Sequence, residues 1–349
     1  MTTNTIEESL IAIDLGNGTT SYIAGNGKQG SFPSLVVPYK DDSGMGLGGT
    51  KDVFTRKDKN SFLVGESCRE HGAATRSTDS SFYSSEEIHT LLLKVLHDCE
   101  IKDPIIVTGL PTEFHQKELK VFEENIRRWA KGEGYQVRSV KVLPQWAGPW
   151  FDDMLEDESG QPISLDIVLK GKWGIIDIGQ GTTDVGQFNS GRVSDQRHGE
   201  SKGVSAIHRA VHTTLKTVPG SLMADGKKTP IIPKEFILDK QTTEHTVDQW
   251  FRDGYIPWRG QKLDMNVISA PARQDFAKDV LPRCIEKVWG STDFLTGMIV
   301  AGGGATVLGL EVFKQYITCP IYKAKKPELS IVNGFYRYAK TQLLPKLTS

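Results

Sequence analysis

Short apolar runs along this chain lead into glycine-rich turns, a pattern typical of buried strands that end in tight loops. Leu10–Ile13 and Trp173–Ile176 are two such runs. Each leads into an acidic residue, a Gly-x-Gly-Thr-Thr turn and a second strand-like segment, so each predicts a β-hairpin. The two copies, residues 13–20 and 176–183, start 163 positions apart in a chain of 349 residues. The pattern therefore predicts two similar halves.

Between the two copies, apolar positions switch between the strand period and the helix period. Strands are predicted at 104–111 and 137–143, with an amphipathic helix at 112–131 between them. Ser84 and Glu87 have the spacing of a capping box and predict the start of a largely buried helix. Residues 32–38 predict one strand bounded by prolines. Strands that alternate with helices indicate an α/β layered fold.

Polar stretches at 40–80 and 217–265 predict small irregular subdomains. In the first stretch, Gly44-x-Gly46-x-x-Gly49 has the spelling of a dinucleotide-binding motif. It follows a polar segment and opens no apolar helix, so we interpret it as a loop. The acidic segment 152–160 predicts a solvated loop just before a domain boundary near residue 168.

The second half contains a predicted helix from residue 203 and another from 271 to 289, with Pro282 inside it. His208 and His212 lie four residues apart on the first of these helices. No Cys, Asp or Glu is placed to complete a zinc set, so we interpret them as a surface pair.

The composition is that of an ordinary soluble protein, with a net charge of −1. Such a balance predicts neither a nucleic-acid surface nor a membrane surface. The four cysteines form no Cys-x-x-Cys, which favours a reducing compartment. The first residues lack the pattern of a signal peptide, and no apolar stretch has the length of a membrane span. We therefore expect a cytoplasmic location.

The glycine turns predict phosphate binding. Glycine lets backbone N–H groups approach a phosphate closely, threonine hydroxyls add donors, and a carboxylate at the strand end can hold the waters of Mg²⁺. A hairpin with threonine chosen for its β-propensity would explain either copy alone. Two matched copies favour two clamps on one anionic ligand. Gly302–Gly304, after the apolar run 298–301, predicts contact with a nucleoside where a helix begins.

Five segments in chain order resemble the nucleotide site of the actin-like ATPase superfamily, which includes actin, Hsp70 and the sugar kinases. They are the two hairpins, the turn at Gln145, the glycines from Gly302, and a closing helix with Val332-Asn333-Gly334. No P-loop motif is present. Within the superfamily, residues 107–111 and 327–335 look most similar to the ParM/StbA group of plasmid-segregation actins.

The resemblance implies an α/β fold of two duplicated ribonuclease-H-like domains, each with a small inserted subdomain, and a nucleotide in the cleft between them. The first domain would comprise residues 1–168 and 330–349, with its subdomain at about 39–82. The second would comprise residues 169–329, with its subdomain at about 217–268.

The resemblance also implies a role for each site residue. The catalytic candidates are Asp177, Gln145 and Asp14: Asp14 would order the Mg²⁺ waters, while Asp177 and Gln145 would position the attacking water. The residues that would hold the phosphates are Gly16, Asn17, Gly18 and Thr19 on one side and Gly179, Gln180, Gly181, Thr182 and Thr183 on the other. The residues that would receive the nucleoside are Gly302, Gly303, Gly304 and Ala305. Gln145 stands where some ParM-like proteins carry Glu; a carboxamide is a poor base, so slow hydrolysis is expected.

The function implied is that of an ATPase using ATP, or GTP, with Mg²⁺ and forming dynamic filaments of its own copies. It would segregate plasmid DNA through an adaptor protein bound to the centromere, because the chain itself is not basic. One alternative is a small-molecule kinase, which would need a catalytic base facing its substrate. Another is an Hsp70-like or pilus-type regulatory ATPase, which the absence of a substrate-binding domain makes less expected. Fold alone does not decide among them.

Overall fold

The computed structural model describes residues 6–39, 53–71, 80–168, 170–217 and 231–348. In these ranges the strands are β1 (Leu10–Leu15), β2 (Thr19–Ala24), β3 (Gln29–Pro33), β4 (Val36–Pro38), β5 (Val53–Thr55), β6 (Ser61–Val64), β7 (Ile105–Leu110), β8 (Ser139–Pro144), β9 (Leu155–Glu156), β10 (Lys172–Ile178), β11 (Thr183–Asn189), β12 (Arg192–Glu200), β13 (Tyr255–Trp258), β14 (Gln261–Asp264), β15 (Gly297–Ala301) and β16 (Ile321–Ala324).

The helices in the same ranges are α1 (Glu86–Cys99), α2 (Thr112–Gly132), α3 (Gly148–Phe151), α4 (Leu165–Val168), α5 (Val204–Thr217), α6 (Glu244–Asp253), α7 (Met265–Val288), α8 (Gly303–Leu308), α9 (Leu310–Phe313), α10 (Ser330–Tyr338) and α11 (Leu344–Thr348). None of the helices in the described ranges is both long and apolar enough to cross a membrane.

The first sheet has five strands in the order β3-β2-β1-β7-β8. β1 pairs antiparallel with β2 and parallel with β7, so it lies at the centre. Every residue of β1 and of β7 is buried, as expected for strands covered on both faces. α1 and α2 supply the apolar side chains on one face, and α10 covers the other. The closing helix therefore packs on the first sheet.

The second sheet has six strands in the order β12-β11-β10-β15-β16-β9. Its first five strands repeat the order of the first sheet, with β10 in the place of β1 and β11 in the place of β2. Side chains of α5, α7 and α8 pack on one face. A cluster with Trp146, Trp150, Trp173 and Phe188 fills the other. The two hairpins and the α/β fold with two duplicated sheets are therefore confirmed.

Two small sheets, β4-β6-β5 and β13-β14, are separate from the two main sheets. β5, β6, β13 and β14 fall within the polar stretches 40–80 and 217–265, whose division into subdomains stays a prediction, and β4 precedes the first stretch. The single strand predicted at 32–38 is wrong, because β3 ends at Pro33 in the first sheet and β4 begins at Val36 in a separate sheet. Ser34 lies at the break, and its hydroxyl donates to the carbonyl of Gly16 at 2.6 Å. This bond turns the chain out of the first sheet. The interpretation of residues 44–49 as a loop falls outside the described residues.

Two element starts differ from those predicted. Ser85, not Ser84, caps α1, since its Oγ accepts from the N–H of Ile88 at 3.3 Å and Ser84 ends the preceding 3-10 turn. The helix predicted from residue 271 begins at Met265, because Asp264 caps it through the N–H of Asn266. In both places the side chain that reaches the free backbone N–H group decides the start.

Two predictions of exposed polar groups are wrong. Asp152, at the start of the acidic segment, is only 1% exposed, and burial raises the pKa of its carboxyl. His208 is also 1% exposed, because its ring packs on Phe251 between α5 and α6, and burial lowers its pKa to about 4. The described residues contain no group of side chains that could hold a metal ion through His, Cys, Asp and Glu together.

The domain boundary near residue 168 stays a prediction. β9, which precedes it, pairs with β16 and so extends the second sheet. α3 and α10 link the two sheets, because α10 packs on β1, β2 and β7 of the first sheet, while α3 packs on α10 and on β15 of the second sheet. Gly334 of α10 lies against the carbonyl of Gly148, and Gly148 lies against Ile331. The backbones of the two helices therefore meet without intervening side chains.

We expect Gly334→Ala to lower the free energy of unfolding by about 1–3 kcal/mol, since the added methyl meets backbone that cannot move aside. Gly132→Ala is the matched control, because a Cβ there meets nothing within 4 Å and alanine favours the helix. Urea denaturation of both variants measures the difference. Equal stability of the two variants would contradict the close contact.

Candidate functional site

The two glycine turns face each other across the gap between the sheets. Each lies at the end of a central strand, the first between Leu15 and Thr20 and the second between Ile178 and Thr183. A Cβ added to Gly18 would lie 2.9 Å from the Cβ of Gln180. The two predicted clamps are thus adjacent, although 163 residues separate them along the chain.

Asp14 and Gln145 meet beneath the first turn. Gln145 Nε2 donates to Asp14 Oδ1 at 3.1 Å, and both side chains are buried. Burial raises the pKa of Asp14 from its ordinary value of 3.8 to about 7, although the bond from Gln145 acts in the opposite direction. A cation placed beside this carboxylate would lower its pKa and favour the ionised form.

Asp177 lies at the matching position beneath the second turn. Burial raises its pKa well above the ordinary value, and the charges of Asp184 and Asp14 add to this effect. Its Oδ1 has no hydrogen-bond partner among the described residues. The same oxygen would lie 2.5 Å from a Cβ on Gly302, whose φ of +76° also favours glycine. Asp14, Gln145, Asp177 and Gly302 therefore converge on one buried place.

The side chains at this place fit a hydrated divalent cation. Two buried carboxylates approach from opposite sheets, and one of their oxygens is unpartnered within the described part of the chain. Buried charge is normally paired or bound to a metal, and Mg²⁺ prefers carboxylate oxygens together with its own waters. Asp14 and Asp177 are the residues that would hold such an ion through water.

Ser34 holds the first turn in shape. Its hydroxyl bonds the Gly16 carbonyl and lies 2.7 Å from Thr20 Oγ1, and its N–H donates to the carbonyl of Gly18. Asn17, in the same turn, has a buried Oδ1 without a partner among the described residues. Sequence reasoning missed Ser34, because it lies 14 residues beyond the turn and only the fold brings it back.

The second turn is held by the start of α5. The N–H groups of Val204 and Ser205 donate to the carbonyls of Gly179 and Gln180, and Thr183 Oγ1 donates to the carbonyl of Lys202. Gly179 N–H closes the turn on the carbonyl of Thr182 at 2.9 Å. The carbonyl groups of Gly179, Gln180 and Thr182 are therefore all hydrogen-bonded, either to the start of α5 or within the turn.

Asp184 is a second residue that sequence reasoning missed. It is buried on β11 directly opposite Asp177, and its two oxygens accept from Thr112 N–H at 2.7 Å and from Thr182 Oγ1 at 2.9 Å. A signal was available in the sequence, since an acidic residue follows the threonines only in the second copy, where Ser21 holds the equivalent place in the first.

The third glycine segment joins β15 to α8. Gly302 and Gly304 lie so close to Ile178 that packing explains both residues. Gly303 is different, because a Cβ there would meet nothing within 4 Å. The predicted nucleoside contact therefore has open space at Gly303 and at the start of α8, while the flanking glycines let the segment approach β10.

Two family models match this chain. Residues 12–148 match "Actin like proteins N terminal domain", and residues 175–313 match "Archaeal actin homologue MreB-like, C-terminal". The matched segments contain both hairpins, Gln145 and the glycines that follow β15. The chain belongs to the actin-like superfamily.

Known relatives extend over nearly the whole chain. The archaeal actin homolog of Thermoplasma acidophilum is 22% identical over 357 residues, which cover 95% of this chain and 98% of the relative. A 15-stranded ParM filament from Clostridium botulinum has a TM-score of 0.66 at 19% identity, over 95% of this chain and 98% of that one. An archaeal actin homolog in complex with ADP has a TM-score of 0.63 at 18% identity, over 95% and 99%. These structures share the fold with the protein.

The raised pKa of Asp14 predicts a pH dependence of stability. Between pH 3.8 and about 7 the folded state holds a proton that the unfolded state has lost, so the free energy of unfolding falls as pH rises through this window. Asp14→Asn removes this loss and should be more stable than the unchanged protein at pH 8, by on the order of 2–4 kcal/mol.

Urea denaturation at several pH values, with EDTA and without nucleotide, measures this difference. Added Mg²⁺ with a nucleotide should reduce the difference in free energy of unfolding between the two proteins at pH 8. The reason is that a cation stabilises the ionised carboxylate of Asp14, which only the unchanged protein has. Parallel stability profiles of the two proteins would show that Asp14 is not strained by burial.

Proposed function

We propose that this protein binds and hydrolyses a nucleoside triphosphate with Mg²⁺ and assembles into filaments of its own copies. The observation that carries the proposal is the pair of facing glycine turns, with Asp14, Gln145 and Asp177 buried between them. Two sets of backbone N–H groups and threonine hydroxyls on opposite sides of a gap suit a chain of phosphates. The ADP complex of an archaeal relative supports binding of a nucleotide.

Each residue would act by holding or aligning. The glycine turns would bind the β- and γ-phosphates, and the open segment at Gly303 would receive the nucleoside. Mg²⁺, held through water by Asp14, would neutralise phosphate charge. Asp177 would accept a hydrogen bond from the attacking water through Oδ1, and Gln145 would orient the same water. Since Gln145 is a poor base, catalysis would depend mainly on alignment of the attacking water, and hydrolysis would be slow. Slow hydrolysis would allow filaments to form before their contacts weaken.

Two side chains favour assembly by head-to-tail contact. Ile237 and Phe294 are each 84% exposed, the highest values among the large exposed apolar side chains of the described residues. Phe236 packs with Met265 at the start of α7, and Leu295 packs with Val288 at its end. A helix of 24 residues spans about 36 Å, so the two exposed side chains lie at opposite ends of the second half. Contact between different ends of successive copies generates an open filament.

The cargo is a further part of the proposal. We infer that the filament moves plasmid DNA in the cytoplasm through an adaptor protein bound to a centromere. A net charge of −1 gives the chain no general attraction for DNA, so the adaptor would supply that contact. The ParM filament among the structural relatives supports assembly into a filament. The cargo and the adaptor rest on the resemblance of residues 107–111 and 327–335 to the ParM/StbA group. ATP and GTP are both candidates for the nucleotide.

We expect Asp14→Ala to abolish binding of Mg-nucleotide, because the carboxylate that orders the cation is lost. Asp177→Ala should keep binding and assembly but slow phosphate release by about 100-fold or more, as losing one catalytic group commonly does. Right-angle light scattering and phosphate release after addition of Mg-ATP, then Mg-GTP, measure both. A flat scattering trace for the unchanged protein at high concentration, with nucleotide bound, would refute the filament.

Phe294→Ser should raise the critical concentration for assembly at least about tenfold, since burying a phenylalanine contributes about 1.5–3 kcal/mol per contact. Phe294→Leu is the matched control, because it retains an apolar side chain. Sedimentation at a series of protein concentrations gives the critical concentration, and nucleotide affinity should be the same in both variants. An unchanged critical concentration for Phe294→Ser would exclude this end from the contact.

A further inference from the structure

Asp184 touches both the second glycine turn and the first half of the molecule. Its Oδ2 accepts from Thr182 Oγ1 at 2.9 Å, and its Oδ1 accepts from the backbone N–H of Thr112 at 2.7 Å. Thr182 belongs to the turn that follows β10, whereas Thr112 opens α2 on the first sheet. A single buried carboxylate therefore bridges the two halves beside the proposed nucleotide site.

The link to α2 fills a gap in that helix. Pro111 precedes α2 and provides no side-chain cap. The N–H groups of Phe114 and His115 donate to the carbonyl of Pro111, whereas the N–H of Thr112, at the start of the helix, has no acceptor within α2. The carboxylate of Asp184 takes the place of a capping side chain, and its negative charge lies at the positive end of the dipole of a 21-residue helix. The partner that stabilises the start of α2 thus comes from the other half of the molecule.

The link to Thr182 competes with phosphate binding. A threonine hydroxyl carries one proton and can donate it to only one acceptor at a time. While Thr182 donates to Asp184, it cannot donate to a phosphate oxygen. If the hydroxyl of Thr182 donates instead to a phosphate oxygen, Asp184 Oδ2 loses its hydrogen-bond donor. The loss changes the carboxylate that also holds the N–H of Thr112 in α2.

We propose that Asp184 is a positioning residue that couples nucleotide binding at Thr182 to the contact between the second turn and α2. Its place on β11 strengthens the coupling, because it lies directly opposite Asp177 and its charge acts on that carboxylate. The hydroxyl of Thr182 would exchange Asp184 for phosphate when nucleotide binds, and the two halves would adjust their contact in response. This inference rests on the proposed nucleotide site.

A double-mutant cycle tests the coupling through nucleotide affinity. Thr182→Val removes the hydroxyl. Thr112→Pro removes the N–H that Asp184 accepts, and proline is well tolerated at the first position of a helix. Thr112→Ser is the matched control, since it keeps both the N–H and the hydroxyl that face Asp184. The affinity for Mg²⁺ with a fluorescent ATP analogue, measured below the assembly concentration, should be non-additive by at least about five-fold when Thr182→Val is combined with Thr112→Pro. The effects should be additive when Thr182→Val is combined with the serine control.

Asp184→Asn gives the second arm of the test. The carboxamide keeps the shape and an oxygen for Thr112 N–H, but its NH₂ group donates to Thr182 and so ends the competition with phosphate. The non-additivity should disappear in this background. Coupling that appears in the free energy of unfolding but not in nucleotide affinity would mean a purely structural bridge and would overturn the inference alone. Failure of the unchanged protein to bind the Mg-ATP analogue would overturn the proposed function and this inference with it.

Discussion

The structure depends on the burial of carboxylates between two sheets. Asp14, Asp177 and Asp184 come from the ends of central strands or the strand beside them, and all three are buried. Burial raises the pKa of each, so the folded protein carries a cost that a cation and a hydrogen-bonded ligand can relieve. At the proposed site, burial of the carboxylates lowers the stability of the folded protein, and binding of a cation and a nucleotide would restore it. Such perturbed carboxylates are common at functional sites.

The two turns that flank these carboxylates are similar in sequence but are supported differently. Ser34 holds the first turn through the carbonyl of Gly16 and the backbone of Gly18, whereas the N–H groups at the start of α5 hold the second. In both turns, carbonyl groups accept hydrogen bonds from residues outside the turn: those of Gly16 and Gly18 from Ser34, and those of Gly179 and Gln180 from the start of α5. The same result is reached with a side chain in one half and a helix start in the other.

The two sheets repeat one strand order, and a few close contacts join the two halves of the molecule. The tight crossing at Gly148 and Gly334 fixes α10 against α3. Trp146 and Trp150 fill the face of the second sheet from a segment that follows the first. Together with the bridge from Asp184 to α2, these contacts connect the halves at the base of the gap and beside it.

The sequence by itself determined the duplicated hairpins and the α/β alternation, because apolar period and glycine spacing are local properties of the chain. The resemblance to the actin-like superfamily implied the site roles of Asp14, Asp177 and Gln145. The sequence did not determine where Ser34, Asp152, His208 or Asp184 would lie. The partners of Ser34, His208 and Asp184 are distant in sequence, and polarity alone suggested solvent for Asp152 and His208. Only the tertiary structure decided these positions, since burial and long-range hydrogen bonds arise when the two sheets and their helices pack. The same packing places Gly302 and Gly304, two of the three glycines after β15, in close contact with Ile178. The sequence motif alone could not distinguish this packing role from ligand binding.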